Sequence, residues 1–274
     1  MAIRIVLASL LVLLAGRAHA QTCGVEAPCA VGGGTYRVSP PPGAPAGAAM
    51  FLHGYQGSGD DMMLDETLRA GFRDAGILLV LPNGPGRAWH VAGEPGNPAS
   101  NRPFIAAVAA DVAARWPVAR KEMWLAGFSV GASMVWDVAC HTPPGGDGFA
   151  AFVAISGQFW NPAPIACESG PVDLLQIHGL TDDVFPLEGR AIGPAHQGDV
   201  FEDLAIMRSH DGCRSNPETM VQQGAFVLRS WTNCWSGAQL ALALHPGGHE
   251  IPAGWLSVAL PFVRAAIARQ QSAQ

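Results

Sequence analysis

Short apolar runs alternate with helical patterns along most of the length of this chain, and that alternation limits the folds open to it. Runs at 34–39, 48–53 (AAMFLH), 77–82 (ILLVLP), 121–126 (KEMWLA), 150–155, 172–177 (VDLLQI) and 239–245 (QLALALH) read as strands. Several are apolar on successive residues rather than on every second one, the pattern of strands covered on both faces in a parallel sheet. Helical patterns fall between them at 60–75, 102–115, 130–140 and 254–269. Strand and helix taking turns predicts an α/β protein with a mostly parallel central sheet and helices on both faces. The Gly- and Pro-rich stretches at 40–47, 82–98 and 143–148 read as loops, because neither side of any of them keeps enough strands to fold alone. No internal repeat is visible.

The first twenty residues read as an address. Arg4 precedes the apolar run 5–15, too short to span a bilayer, and Ala18-His19-Ala20 has the small-x-small form of a cleavage site. We therefore expect a signal peptide at 1–20, a single domain over 21–274, no membrane anchor, and a secreted or periplasmic location. A composition 49% hydrophobic and 14% charged can fill a core. The net charge of −6 argues against a nucleic-acid partner, which needs a basic footprint to displace counterions. All six cysteines (Cys23, Cys29, Cys140, Cys167, Cys213, Cys234) follow the leader, so disulfides are expected in an oxidising compartment. Six cysteines allow 15 pairings, and spacing alone favours only the Cys23 to Cys29 loop. With no CxxC pair, a zinc site is disfavoured and no metal or cofactor is expected.

Chemistry enters at KEMWLAGFSVG, where a strand runs into Gly127-Phe128-Ser129-Val130-Gly131 ahead of a helix. A serine there sits on a cramped strand-to-helix turn that tolerates only glycine at the flanking positions. Ser129 is the expected nucleophile, and the Val130 N–H at the helix start is an expected oxyanion donor. A serine hydroxyl needs a base and a carboxylate to orient that base, in the chain order Ser, acid, His. Strand 172–177 opens into HGLTDDVFP, making Asp182 the expected acid, with the adjacent Asp183 as its alternative. The last strand opens into HPGGHE, which offers His249 as base. His245 lies four residues earlier, but Pro246 and two glycines forbid the helix that a zinc pair would need. His53 and His178 read as hydrogen-bonded structural histidines. The glycine-rich loop HGYQGSG should supply the second oxyanion donor, Tyr55 first and Gln56 next. It carries neither a phosphate-loop nor a dinucleotide fingerprint. Trp89, Trp160 and Trp255 fall near the expected catalytic edge and are candidates to line a substrate pocket, while Trp136 reads as packing.

Taken together, HGYQGSGDD, LVLPNG, GFSVGAS, FVAISG, HGLTDDVFP and GGHEIP, in this order over most of 34–265, resemble the secreted polyhydroxybutyrate depolymerase and feruloyl esterase group, including carbohydrate esterase family one. The resemblance implies an α/β-hydrolase fold and a Ser129, His249, Asp182 triad. It also implies the disulfides Cys140 to Cys167 and Cys213 to Cys234, leaving Cys23 with Cys29. The implied substrate is a small-molecule or oligomeric ester: feruloyl, acetyl or short hydroxyalkanoate. Glu250-Ile251 stands where the group often has an aromatic, and no lipid-like or starch-like binding domain follows residue 265, which favours a soluble ester over a polymer surface. A serine peptidase with the same triad and a non-catalytic binding protein of the same fold are the competing readings.

Overall fold

A computed structural model describes residues 23–91, 99–142 and 148–272. The expected leader at 1–20 and parts of the 82–98 and 143–148 loops lie outside these residues. The strands are β1 (Cys29–Val31), β2 (Gly34–Ser39), β3 (Ala48–Leu52), β4 (Leu78–Asn83), β5 (Met123–Phe128), β6 (Phe152–Ile155), β7 (Trp160–Asn161), β8 (Leu174–Gly179), β9 (Ala191–Ile192), β10 (Ala195–Gln197), β11 (Thr219–Gln223), β12 (Phe226–Trp231) and β13 (Leu240–His245). The α-helices are α1 (Gly59–Met62), α2 (Glu66–Asp74), α3 (Arg102–Arg115), α4 (Val130–His141), α5 (Val200–Asp211) and α6 (Leu256–Ser272).

The main sheet has ten strands in the order β1-β2-β4-β3-β5-β6-β8-β13-β12-β11, and β7, β10 and β9 form a small second sheet. From β4 to β13 every neighbouring pair is parallel, while β1 and β2 at one margin and β12 and β11 at the other pair antiparallel. The parallel centre has the two-faced burial that its unbroken apolar runs predict. In β3, Ala48, Met50 and Leu52 join one core with Val108 of α3, Trp136 of α4 and Leu204 of α5. The alternate residues Ala49 and Phe51 join the other, with Phe72 of α2 and Val263 of α6. Burying both faces removes nearly all of the central strands' apolar surface from water, at roughly 25 cal/mol per Å².

Several elements differ from expectation, among them the short strands β1, β7, β9 and β10, which were not read from the sequence. The helix read over 60–75 is broken into α1 and α2, because the Asp65 carboxylate accepts the Leu68 N–H and caps a new helix. Helix α5 was not read from the sequence, although its ends are marked: Asp199 accepts the Phe201 and Glu202 N–H groups, and Gly212 closes it in the left-handed conformation. The β11–β12 hairpin was also missed. Its exposed edge strand has no apolar run to betray it.

The cysteines form Cys23–Cys29, Cys140–Cys167 and Cys213–Cys234. Among the described residues no helix is long and apolar enough to cross a membrane.

Candidate active site

Because the central strands are parallel, the loops that follow them share one edge of the sheet. Ser129 follows β5, Asp182 follows β8 and His249 follows β13. The glycine-rich loop follows β3, which pairs directly with β5 and brings Leu52 opposite Gly127.

Ser129 is held at φ 59°, a left-handed conformation costly for a residue with a side chain. Its N–H donates to Ile155 O at 2.9 Å, and its carbonyl accepts from Ala132 and Ser133. The flanking glycines allow this crossing. A Cβ on Gly127 would meet Gly131 O at 2.4 Å, and one on Gly131 would meet Leu52 O at 2.4 Å. Gly157, inside the FVAISG run, is needed for the same reason, since its Cβ would fall 2.2 Å from Ser129 O. Its role was not read from the sequence, where nothing but its place after a strand marks it.

His249 and Asp182 come together because β8 and β13 are parallel neighbours with Gly179 opposite His245. The loops beyond them are also bonded, Leu180 N–H to His245 O and Thr181 N–H to Gly247 O. His249 Nε2 lies 3.0 Å from Ser129 Oγ, and His249 Nδ1 lies 2.9 Å from Asp182 Oδ2. An ionised carboxylate only accepts, so Nδ1 carries the hydrogen and Nε2 is left to accept from the serine hydroxyl. Asp182 is buried, and its Oδ1 accepts the Val184 and Phe185 N–H groups at 3.0 and 2.7 Å. Burial alone would raise its pKa. The bonds from His249 and Phe185 outweigh burial and hold the carboxyl below its usual range. Asp183 is exposed, and the carboxylate against His249 is that of Asp182. The imidazole of His249 has two rings beside it, Phe128 at 4.7 Å and Phe185 at 5.7 Å, the latter tilted by only 10°. Neither ring was singled out in the sequence.

The two oxyanion candidates of the HGYQGSG loop separate cleanly. The Gln56 N–H is committed to Arg87 O at 2.8 Å, whereas Tyr55 N–H donates to no protein group among the described residues. Gly54 packs against Ser129, its absent Cβ 3.4 Å from Ser129 Cβ. Val130 opens α4, where the first N–H groups have no partner within the helix. His53 bridges the loop: its Nδ1–H donates to Gly54 O at 2.7 Å and its Nε2 accepts the Gly84 N–H at 2.9 Å. Burial lowers its pKa, in keeping with a neutral ring.

The tryptophans divide. Trp89 is buried and gives its indole N–H to His53 O at 2.9 Å, so it braces the loop rather than presenting a face to solvent. Trp255 packs among Phe51, Phe72 and Trp124 in the core beneath the site. Trp160 packs edge-on against Phe185, one ring removed from His249. His245 accepts the Gly247 N–H on Nδ1, with Phe226 edge-on to its ring.

Sheet, elbow and the side chains at its edge have the arrangement of the α/β-hydrolases, and the chain has the α/β-hydrolase fold. Solved structures superpose over most of its length. Acetyl xylan esterase from Aspergillus awamori does so with TM-score 0.63 and 16% identity, covering 84% of this chain and 93% of its own. The Bacillus cereus carboxylesterase does so with TM-score 0.53 and 11% identity, covering 85% and 94%. In sequence, the chain is 30% identical to a protein of Nocardia uniformis subsp. tsuyamanensis named "Putative esterase NocK", over 58% of this chain and 48% of that one. The chain thus spans about half the length of the curated relative it matches. No protein-family profile matches the sequence.

Proposed function

We propose that the protein is an exported serine esterase, a single catalytic domain over 21–274 that hydrolyses carboxylic esters through an acyl-enzyme. The observation that carries this reading is the unbroken chain from Ser129 Oγ to His249 Nε2 and from His249 Nδ1 to Asp182. His249 takes the hydroxyl proton as Ser129 Oγ bonds to the ester carbonyl carbon, then returns it to the leaving alcohol as the ester C–O bond breaks. Asp182 holds the imidazole and stabilises the imidazolium that forms. The N–H groups of Tyr55 and Val130 meet the negative oxygen of the tetrahedral intermediate. Water, activated by the same histidine, releases the acid.

Feruloyl, acetyl or short hydroxyalkanoate esters are the substrates we propose, in line with the sequence resemblance. Tyr55, Leu180 and Val184, on the loops that carry the oxyanion donor and the acid, are exposed apolar side chains suited to an uncharged ester. The three disulfides support an oxidising compartment.

The test is Ser129→Ala, assayed on p-nitrophenyl acetate, methyl ferulate and hydroxybutyrate oligomers, with a peptide amide as comparison. The wild type should turn over at least one ester and label with a fluorophosphonate, and the variant should do neither while keeping its circular dichroism. A variant that retains ester turnover refutes the assignment.

A further inference from the structure

His178, near the end of β8, is fully buried and has no place in the chain from Ser129 to Asp182. The polarity of its surroundings is fixed from both ends. The Trp136 indole, which can only donate, reaches Gln176 Oε1 at 2.9 Å. The Gln176 amide nitrogen then donates to Gly157 O at 3.1 Å and to His178 Nδ1 at 2.8 Å. At the other end His178 Nε2 lies 2.7 Å from Phe185 O, a carbonyl that can only accept. The imidazole is therefore neutral, with its one hydrogen on Nε2. Burial lowers its pKa, in agreement.

The residue it holds bears on the site twice. The Phe185 N–H is the 2.7 Å donor to Asp182 Oδ1, and the Phe185 ring lies nearly parallel to that of His249. The protonation state matters as well. His178 Nε2 is 3.7 Å from Asp182 Oδ2, the oxygen that faces His249. A cationic ring there would compete with His249 for the carboxylate charge, and a neutral one leaves it free. The charged or titratable groups acting on His178 are Asp182, His249 and His245.

We propose that His178 is a positioning residue. As a neutral imidazole it pins Phe185, and so sets both the orientation of the triad acid and the plane of the catalytic imidazole. Trp136 lies on α4, the helix that begins just after the nucleophile, so the buried chain also ties that helix to the acid loop. The proposal rests on the triad reading above.

Two measurements test it. In protein labelled with ¹⁵N-histidine, the His178 resonances, assigned by their loss in His178→Gln, should report the Nε2–H neutral form from about pH 5 to pH 8, the span in which an ordinary imidazole titrates. A cationic ring or the Nδ1–H form in this span overturns the proposal. In the second measurement His178→Leu should lower kcat on p-nitrophenyl acetate by roughly 100-fold with KM nearly unchanged, as small misplacements of reacting groups do. It should also erase the low-field proton resonance of the His249 to Asp182 bond. His178→Gln, whose amide can give to Phe185 O and accept from Gln176, should restore most of both. Wild-type kcat in His178→Leu, or equal losses in two folded variants, overturns it. If His178→Leu does not fold, the wild-type tautomer still decides. If the wild type hydrolyses no ester, the functional reading fails, while the tautomer and the low-field proton still decide this one.

Discussion

Asp182→Asn removes one charge and almost nothing else, which makes it the sharpest test of the proposed role of Asp182. The wild-type carboxylate accepts three bonds, from His249 Nδ1–H and from the Val184 and Phe185 N–H groups. An asparagine would turn its carbonyl oxygen to the two backbone donors, keeping the loop, and present its amide hydrogens to His249 Nδ1. That nitrogen must then accept, and the imidazole hydrogen moves to Nε2, facing Ser129 Oγ across 3.0 Å. A ring protonated there cannot take the serine proton. The tautomer error costs about 10⁴-fold in kcat where the same substitution has been made in a serine protease, or about 5 kcal/mol of transition-state stabilisation. KM should change little, since no substrate contact is lost. Asp183→Asn is the control, because that side chain is exposed and away from the imidazole. Steady-state hydrolysis of p-nitrophenyl acetate with urea unfolding of both variants makes the check. If Asp182→Asn stays within tenfold of wild type, or if Asp183→Asn falls as far, the acid has been misassigned.

Gly157→Ala should lower kcat by about 100-fold or more and destabilise by about 1–3 kcal/mol, since the new methyl would meet Ser129 O at 2.2 Å. Gly148→Ala, with nothing within 4 Å, should be neutral in activity and thermal melting. Asp203, buried on α5, has its pKa pushed up to about 7 by burial, with Asp199 and Glu202 adding to the rise against the bond from the Phe159 N–H. The unfolded chain releases this proton near pH 4, so the stability tied to the protonated form is whole below about pH 4 and lost as pH rises to about 7. Asp203→Asn should therefore gain on wild type across that window, by at most about 4 kcal/mol; equal urea-unfolding differences at pH 4.5 and 7.5 would count against it. Replacing Cys140 and Cys167 by serine opens a crosslink of sequence separation 27 and should cost about 3–4 kcal/mol in chemical unfolding, with little loss of activity in the folded fraction.

Local chemistry was legible in the amino-acid order. Unbroken apolar runs specified doubly covered parallel strands, and Gly127-x-Ser129-x-Gly131 after one of them specified a tight strand-to-helix turn, whose serine the fold then buries. The order of Ser129, the two aspartates and His249 followed from where each loop leaves a strand. These signals are local, carried by residues a few positions apart. Contacts between strands became legible only in the folded chain. Whether Asp182 or Asp183 meets His249 depends on which side chain the β8 loop buries, a difference of one residue in a turn. Tyr55 is separated from Gln56 by Arg87, more than thirty residues away, whose carbonyl consumes the Gln56 N–H. Trp89 and Trp255, plausible pocket walls by position, are spoken for by His53 and by a cluster of core rings. The row Trp136, Gln176, His178, Phe185 reads as unrelated letters because its bonds run across the sheet, and only the stacking of α4, β8 and the acid loop brings donor to acceptor. Side-chain chemistry is written in the sequence one residue at a time, but a hydrogen-bond partner is a property of three-dimensional distance, and that is set only when the chain has closed on itself.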